Sequence, residues 1–128
     1  MEKRVISIFG ESEKGEYEKF YPIADLAEAF EILGSPPKET EALQFSLQIL
    51  GASQPILFFR VKEEGFSFDS YAKGIELLKV NSGPFTIQAL FMPGLSDPNL
   101  IEKAREACEK HQAVLLITDK DFQDYKYS

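Results

Sequence analysis

The sequence is poor in the residue types that most often build metal sites and disulfide bonds. Among its 128 residues it has one cysteine, one histidine and no tryptophan. Cys108 alone cannot form an internal disulfide bond, and with His111 alone it cannot form a zinc site of the Cys/His type. Cys108 falls on the apolar stripe of a predicted helix, so we expect it to pack in the core as a small hydrophobic residue.

The chain also lacks a long apolar run and an excess of positive charge. No segment approaches the roughly 20 consecutive apolar residues of a membrane-spanning helix, and the first residues lack the apolar region of a signal peptide. We therefore expect a cytoplasmic protein that does not bind membranes. The 14 basic and 21 acidic residues give a net charge of −7. Because Lys3-Arg4 is the one basic cluster, we expect no binding to nucleic acid.

Four apolar segments are predicted to be β-strands. They are residues 5–9, 56–61, 86–92 and 113–117. The second of these is apolar continuously rather than at alternate positions, which is typical of a central strand covered by helices on both faces. Each predicted strand is separated from the next by a polar loop and by amphipathic sequence.

Apolar residues at helical spacing predict four helices between these strands, at about residues 25–33, 39–50, 69–80 and 97–111. The last has a clear start, with Asp97 as a capping residue and Pro98 at the first helical position. Gly74 lies inside the third, where glycine is unfavourable. Short strands alternating with helices predict an α/β fold, a three-layer sandwich with a mostly parallel four-stranded sheet. We expect residues 1–128 to form a single domain.

Acidic residues follow the ends of the predicted strands and the turn before the last helix. In open parallel sheets, ligands bind beyond the carboxyl ends of the strands. We call these residues the acidic rim: Glu11, Glu63, Glu64, Asp97, Asp119 and Asp121. The rim could hold Mg²⁺ in a small hydrolase or serve a nucleotide-binding α/β domain. Alternatively, its residues cap helices and keep the surface soluble.

We favour the second interpretation of the acidic rim, because no recognised catalytic motif accompanies it. His111 is a lone histidine without a serine or cysteine in a nucleophile motif. The sequence therefore predicts no catalytic, cofactor-binding or metal-binding residues, no cofactor, and a protein that is not an enzyme.

Two stretches of the chain carry a family resemblance. In the first, the strand from Val5 enters a glycine turn containing Lys14-Gly15, a helix closes at Leu33-Gly34, and a later strand ends in Arg60-Val61. In the second, Gly74 to Leu78 precedes a strand that ends in Pro93-Gly94, followed by a helix and a strand ending at Asp119. In this order the features resemble the core of tail sheath proteins from contractile phage tails and related injection machines.

The resemblance implies a structural protein that forms homo-oligomers or assembles with phage-tail-like proteins, in the cytoplasm or in an assembled particle. Sheath proteins are usually several times longer and have extended terminal arms, whereas only a short tail follows Asp119 here. That tail carries Phe122, Tyr125 and Tyr127. These aromatic residues either pair with the sheet edge of a neighbouring subunit or fold back on their own domain.

Overall fold

The computed structural model describes residues 3–80 and 83–126. In this part of the chain the elements are β1 (Lys3–Gly10), β2 (Phe20–Ile23), α1 (Leu26–Ile32), α2 (Ala42–Gly51), β3 (Ile56–Arg60), α3 (Phe68–Val80), β4 (Phe85–Phe91), α4 (Pro98–His111), β5 (Val114–Leu116) and α5 (Asp119–Lys126). The four predicted strands and the four predicted helices are confirmed, with ends shifted by up to three residues. Asn81 and Ser82, in the polar loop expected before the third predicted strand, lie outside the described residues.

The strands form one five-stranded sheet in the order β2-β3-β1-β4-β5. β1 pairs in parallel with β3 and β4, and β4 pairs in parallel with β5. β2 runs antiparallel to β3, so the sheet is mixed, and the predicted number of four strands is wrong. The missed strand is short and contains Pro22, which is tolerated there because β2 is an edge strand.

Helices cover both faces of the sheet, as the α/β prediction requires. Neighbouring residues of a strand point to opposite faces, and accordingly Phe9 and Ile8 belong to different apolar clusters. Phe9 packs with residues of α3 and α4, such as Tyr71 and Leu100. Ile8 packs with residues of α1 and α2, such as Leu43. The result is an α/β sandwich with an apolar core on each side of the sheet.

Gly74 shows how closely α3 packs on the sheet. A Cβ atom at Gly74 would lie 2.5 Å from the Phe9 ring and 2.7 Å from the Phe59 ring. Glycine in the middle of α3 therefore allows the helix to lie directly on these aromatic rings.

Cys108 is buried, as predicted. Burial raises the pKa of its thiol to about 11, so the thiol stays protonated at neutral pH.

The last described segment of the chain, α5, is a helix that the sequence analysis did not predict. Residues of α5 follow Thr118, whose Oγ1 accepts a hydrogen bond from the Asp121 N–H at 3.0 Å. This segment is therefore helical here and not an extended edge strand. The ring of Phe122 is 46 % exposed, so its own domain covers it only in part. The side chain of Tyr125 and all of Tyr127 lie outside the described part of the chain.

Across residues 3–80 and 83–126, the length and hydropathy of each helix fall short of what a membrane crossing needs.

Candidate functional site at the carboxyl rim

The carboxyl ends of the four parallel strands lie at one edge of the sheet, which we call the carboxyl rim. The parallel strands lie in the order β3-β1-β4-β5. The chain goes from β1 to β3 on one side and then returns to β4 and β5 on the other side, so the direction of strand addition changes between β1 and β4. Ligands of open α/β sheets commonly bind at such a switch point. A cleft of about 280 Å³ lies at this rim, lined by Glu39, Glu41, Glu64, Phe66, Gly94, Ser96, Thr118, Lys120, Asp121 and Asp124.

Glu64, in the loop after β3, holds two other parts of the chain in place. Its Oε1 accepts a hydrogen bond from the Glu11 N–H at 3.0 Å. Its Oε2 accepts from the N–H groups of Glu41 at 2.7 Å and Ala42 at 3.3 Å. The side chain of Glu41, at the start of α2, makes no capping bond of its own. Glu64 therefore caps α2 from a distant part of the sequence, satisfying N–H groups that the helix leaves free.

Glu11 completes this arrangement from the loop after β1. Its Oε2 accepts a hydrogen bond from the Glu64 N–H at 2.8 Å, so each of the two glutamates binds the other's backbone amide. Gly10 makes the close approach possible, because a Cβ atom there would lie 2.5 Å from the Glu64 Oε1 and would overlap the Ala42 side chain. Burial raises the pKa of Glu64, and the nearby Glu11 carboxylate acts in the same direction, while the backbone N–H donors lower it.

Asp121 plays a similar part between α5 and the loop after β4. It is 4 % exposed, and its Oδ2 accepts a hydrogen bond from the Gly94 N–H at 2.7 Å. The backbone of Gly94 in turn packs against Gly65, where a Cβ atom would lie 2.6 Å from the Gly94 carbonyl oxygen. The N–H of Gly65 donates to the Tyr71 hydroxyl at 2.7 Å. The loops after β3 and β4 are thus fixed to each other, to α3 and to α5.

Asp97 and Glu63 do not join this group. Asp97 caps α4 by accepting a hydrogen bond from the Leu100 N–H at 3.0 Å, as predicted. Glu63 is exposed, and the side chain of Asp119 lies outside the described part. The structure therefore brings Glu11 and Glu64 together and places Asp121 in the same cleft as Glu64. Among the described residues, no group of three or more His, Cys, Asp or Glu side chains is placed to hold a metal ion.

Three acidic residues of the cleft were missed by the sequence analysis. Glu39 and Glu41 reach it from the segment before α2, and Asp124 reaches it from α5. None of them follows a strand end, so the rule that located the acidic rim could not find them. The packing of α2 on the sheet and the hydrogen bond from the Glu41 N–H to Glu64 place this segment at the edge of the sheet.

The segments of the first stretch that carries the family resemblance meet at one corner of the domain. The Lys14 N–H donates to the Leu33 carbonyl oxygen at 2.9 Å, which joins the glycine turn to the end of α1. The Ser35 N–H donates to Glu13 Oε1 at 3.0 Å. The guanidinium of Arg60 donates to the Gly15 carbonyl oxygen. It also lies over the ring of Tyr17, with 4.2 Å between the Arg60 Cζ and the ring centre.

No protein-family model matches this chain, and comparison with curated proteins and with solved structures likewise finds no match.

Proposed function

We propose that this protein is a structural subunit similar to the core of a contractile tail sheath. It assembles with itself or with other phage-tail-like proteins, and it resides in the cytoplasm or in the assembled particle. In this proposal the α/β sandwich is the three-layer body from which the particle is built. The protein needs no cofactor and carries no active site.

The observation that supports the proposal is the corner at which the glycine turn, the end of α1 and Arg60 meet. The resemblance rests on the order of these features along the chain. Hydrogen bonds from Lys14 to Leu33 and from Arg60 to Gly15 join these features to one another. Each feature therefore helps to hold this corner of the domain together. A set of loops fixed to one another in this way suits a subunit that must keep its shape under load.

The carboxyl rim agrees with a structural role. Oxygen atoms of Glu11, Glu64 and Asp121 accept hydrogen bonds from backbone N–H groups of other segments. Carboxylates used in this way join loops and cap a helix. A Mg²⁺ site would instead need several carboxylate oxygens directed at one point.

Assembly of the purified full-length chain tests the proposal. Sedimentation velocity from micromolar to millimolar concentration should show species larger than the monomer that grow with concentration. Co-expression with the products of the neighbouring genes should recover tail-tube or baseplate proteins bound to the chain. A chain that stays monomeric throughout and binds none of these products would contradict the proposed function.

A further inference from the structure

The cleft at the carboxyl rim contains a buried carboxylate of which one oxygen is unused. Asp121 is 4 % exposed, and its Oδ2 accepts a hydrogen bond from the Gly94 N–H at 2.7 Å. None of the described residues donates a hydrogen bond to the other oxygen, Oδ1. Because Asp121 lines the cleft, Oδ1 is reached from there. A buried carboxylate oxygen without a donor is unfavourable, and a ligand that carries an N–H group would supply one.

Negative charge exceeds positive charge around the same cleft. Five of the residues that line it are acidic and one is basic, the acidic ones being Glu39, Glu41, Glu64, Asp121 and Asp124. The basic residue is Lys120, and no ion pair in the described part of the chain includes it or any of these five. The excess negative charge is therefore not balanced within the protein, and it favours a cationic ligand.

The arrangement of these groups suits an organic cation better than a metal ion. No three acidic side chains among the described residues are placed to hold a metal ion, whereas a planar guanidinium group spreads five N–H donors over a wide fork. Phe66 also lines the cleft, and its side chain is 74 % exposed. A guanidinium group binds favourably over the face of an aromatic ring. The cleft, at about 280 Å³, has room for this group and a short alkyl stem, since a cavity of about 150 Å³ can hold benzene.

The groups that would contact such a ligand are already held in place. The Phe66 N–H donates to the Glu63 carbonyl oxygen at 3.1 Å, and the neighbouring Gly65 N–H donates to the Tyr71 hydroxyl at 2.7 Å. The hydrogen bond to Oδ2 fixes the carboxylate of Asp121 in the same way. Groups that are fixed beforehand lose little freedom when a ligand binds, so less of the binding free energy is spent on ordering them.

We propose that this cleft binds a guanidinium group carried on a short apolar stem. Oδ1 of Asp121 accepts N–H bonds from the group, the Phe66 ring lies against its face, and the other carboxylates of the cleft balance its charge. The inference goes beyond the proposed structural function and does not rest on it, because binding can be measured whether or not the chain assembles.

Calorimetric titration of the full-length chain with butylguanidine tests the site. Butylurea is the matched control ligand, because it has nearly the same shape and no charge. Butylguanidine should bind and butylurea should not, and the binding of butylguanidine should weaken as the NaCl concentration rises. A peptide with one arginine between blocked glycines distinguishes two sources of the group. If the peptide binds more tightly than butylguanidine, the ligand is an arginine side chain of a protein partner, and if it binds more weakly, the ligand is a free small molecule.

Asp121→Asn tests the unused oxygen directly. Asparagine keeps one oxygen to accept the Gly94 N–H bond and replaces the other with an NH₂ group, so the variant should bind butylguanidine about tenfold more weakly or worse. Phe66→Ala should weaken binding by about two- to fivefold. Glu63→Gln is the matched control, because it removes one negative charge from an exposed position of the same rim outside the cleft, and it should bind like the unmodified chain.

An unmodified chain that does not bind butylguanidine would overturn the proposal. Equal binding of butylurea, or equal binding of butylguanidine by Asp121→Asn, would overturn it as well. Circular dichroism and thermal melting establish that each variant is folded. If Asp121→Asn does not fold, the double variant Glu41→Gln/Asp124→Asn takes its place, because both residues are exposed and line the cleft. It should bind about threefold more weakly or worse, and unchanged binding would overturn the proposal.

Discussion

Glu64 carries out its capping role at some electrostatic cost. Its carboxylate accepts hydrogen bonds from three backbone N–H groups, which favour the charged form. Burial favours the neutral form, and the pKa of Glu64 is raised above its ordinary value. Burial therefore outweighs the donors. The side chain contributes an acceptor where α2 and the loop after β1 need one, while its negative charge is unfavourable there.

Substitution of Glu64 separates these two effects. Glu64→Ala leaves the N–H groups of Glu11, Glu41 and Ala42 without their acceptor and should lower the free energy of unfolding by about 1–3 kcal/mol. Glu64→Gln keeps one acceptor oxygen and removes the charge, so its free energy of unfolding should fall by less than that of Glu64→Ala. Urea denaturation measures both. Glu63→Ala is the control, because an exposed change should stay within about 0.5 kcal/mol of the unmodified chain. A Glu64→Ala variant as stable as this control would show that the cap is unimportant.

The pH dependence of the same variants shows the sign of the charge effect. Because the pKa of Glu64 is raised in the folded state, the folded protein binds its proton more tightly than the unfolded chain does. The stabilising contribution is thus present below the unfolded pKa and is lost as pH rises through the folded pKa. Relative to Glu64→Gln, the unmodified chain should lose stability as pH rises from about 4. A stability difference between the two proteins that stays constant with pH, or that changes in the opposite direction, would contradict the raised pKa.

Local sequence could reveal some of these capping residues and not others. Asp97 and Pro98 were predicted correctly because the residues that matter lie within three positions of each other. Glu64 caps α2 over a separation of 23 positions and meets Glu11 over 53. No short pattern encodes such contacts. They arise only when the sheet places the ends of β1 and β3 side by side.

At the scale of elements, the strands and helices with a strong apolar pattern were predictable, and two weak ones were not. β2 has only four residues, one of which is a proline, so it has too little alternation to indicate a strand. In α5 the sequence is largely polar, and Phe122 is exposed. Asp121 joins α5 to the loop after β4 by accepting a hydrogen bond from the N–H of Gly94, which lies 27 positions away.

Asp121→Ala should therefore loosen α5 without disturbing the sheet. The change leaves the Gly94 N–H unsatisfied in a partly buried place, which should cost about 1–3 kcal/mol of unfolding free energy. Hydrogen exchange should become faster at Gly94 and along α5, while amides of β1 and β4 keep their protection. Asp124→Ala on the exposed side of the same helix is the control. Equal exchange in the two variants would mean that Asp121 does not hold α5 in place.

At the scale of the whole molecule, short strands alternating with helices predicted a sandwich, but the order of the strands could not be read from the sequence. Continuous apolar runs indicate buried strands, and they say nothing about which strands are neighbours. The position of β1 between β3 and β4 decides which acidic residues meet. It brings Glu11 to Glu64, and it leaves Asp97 as a local cap of α4.

The response of the whole molecule to Mg²⁺ distinguishes the proposed structural function from the hydrolase alternative. A bound ion stabilises the folded state by mass action and raises the melting temperature. Because oxygens of Glu11, Glu64 and Asp121 already accept backbone N–H bonds, we expect millimolar MgCl₂ to raise the melting temperature no more than NaCl of equal ionic strength. That control is needed because salt alone screens the repulsion within a chain of net charge −7. A rise specific to Mg²⁺ that disappears in Asp121→Asn would replace the structural function with a metal-dependent one.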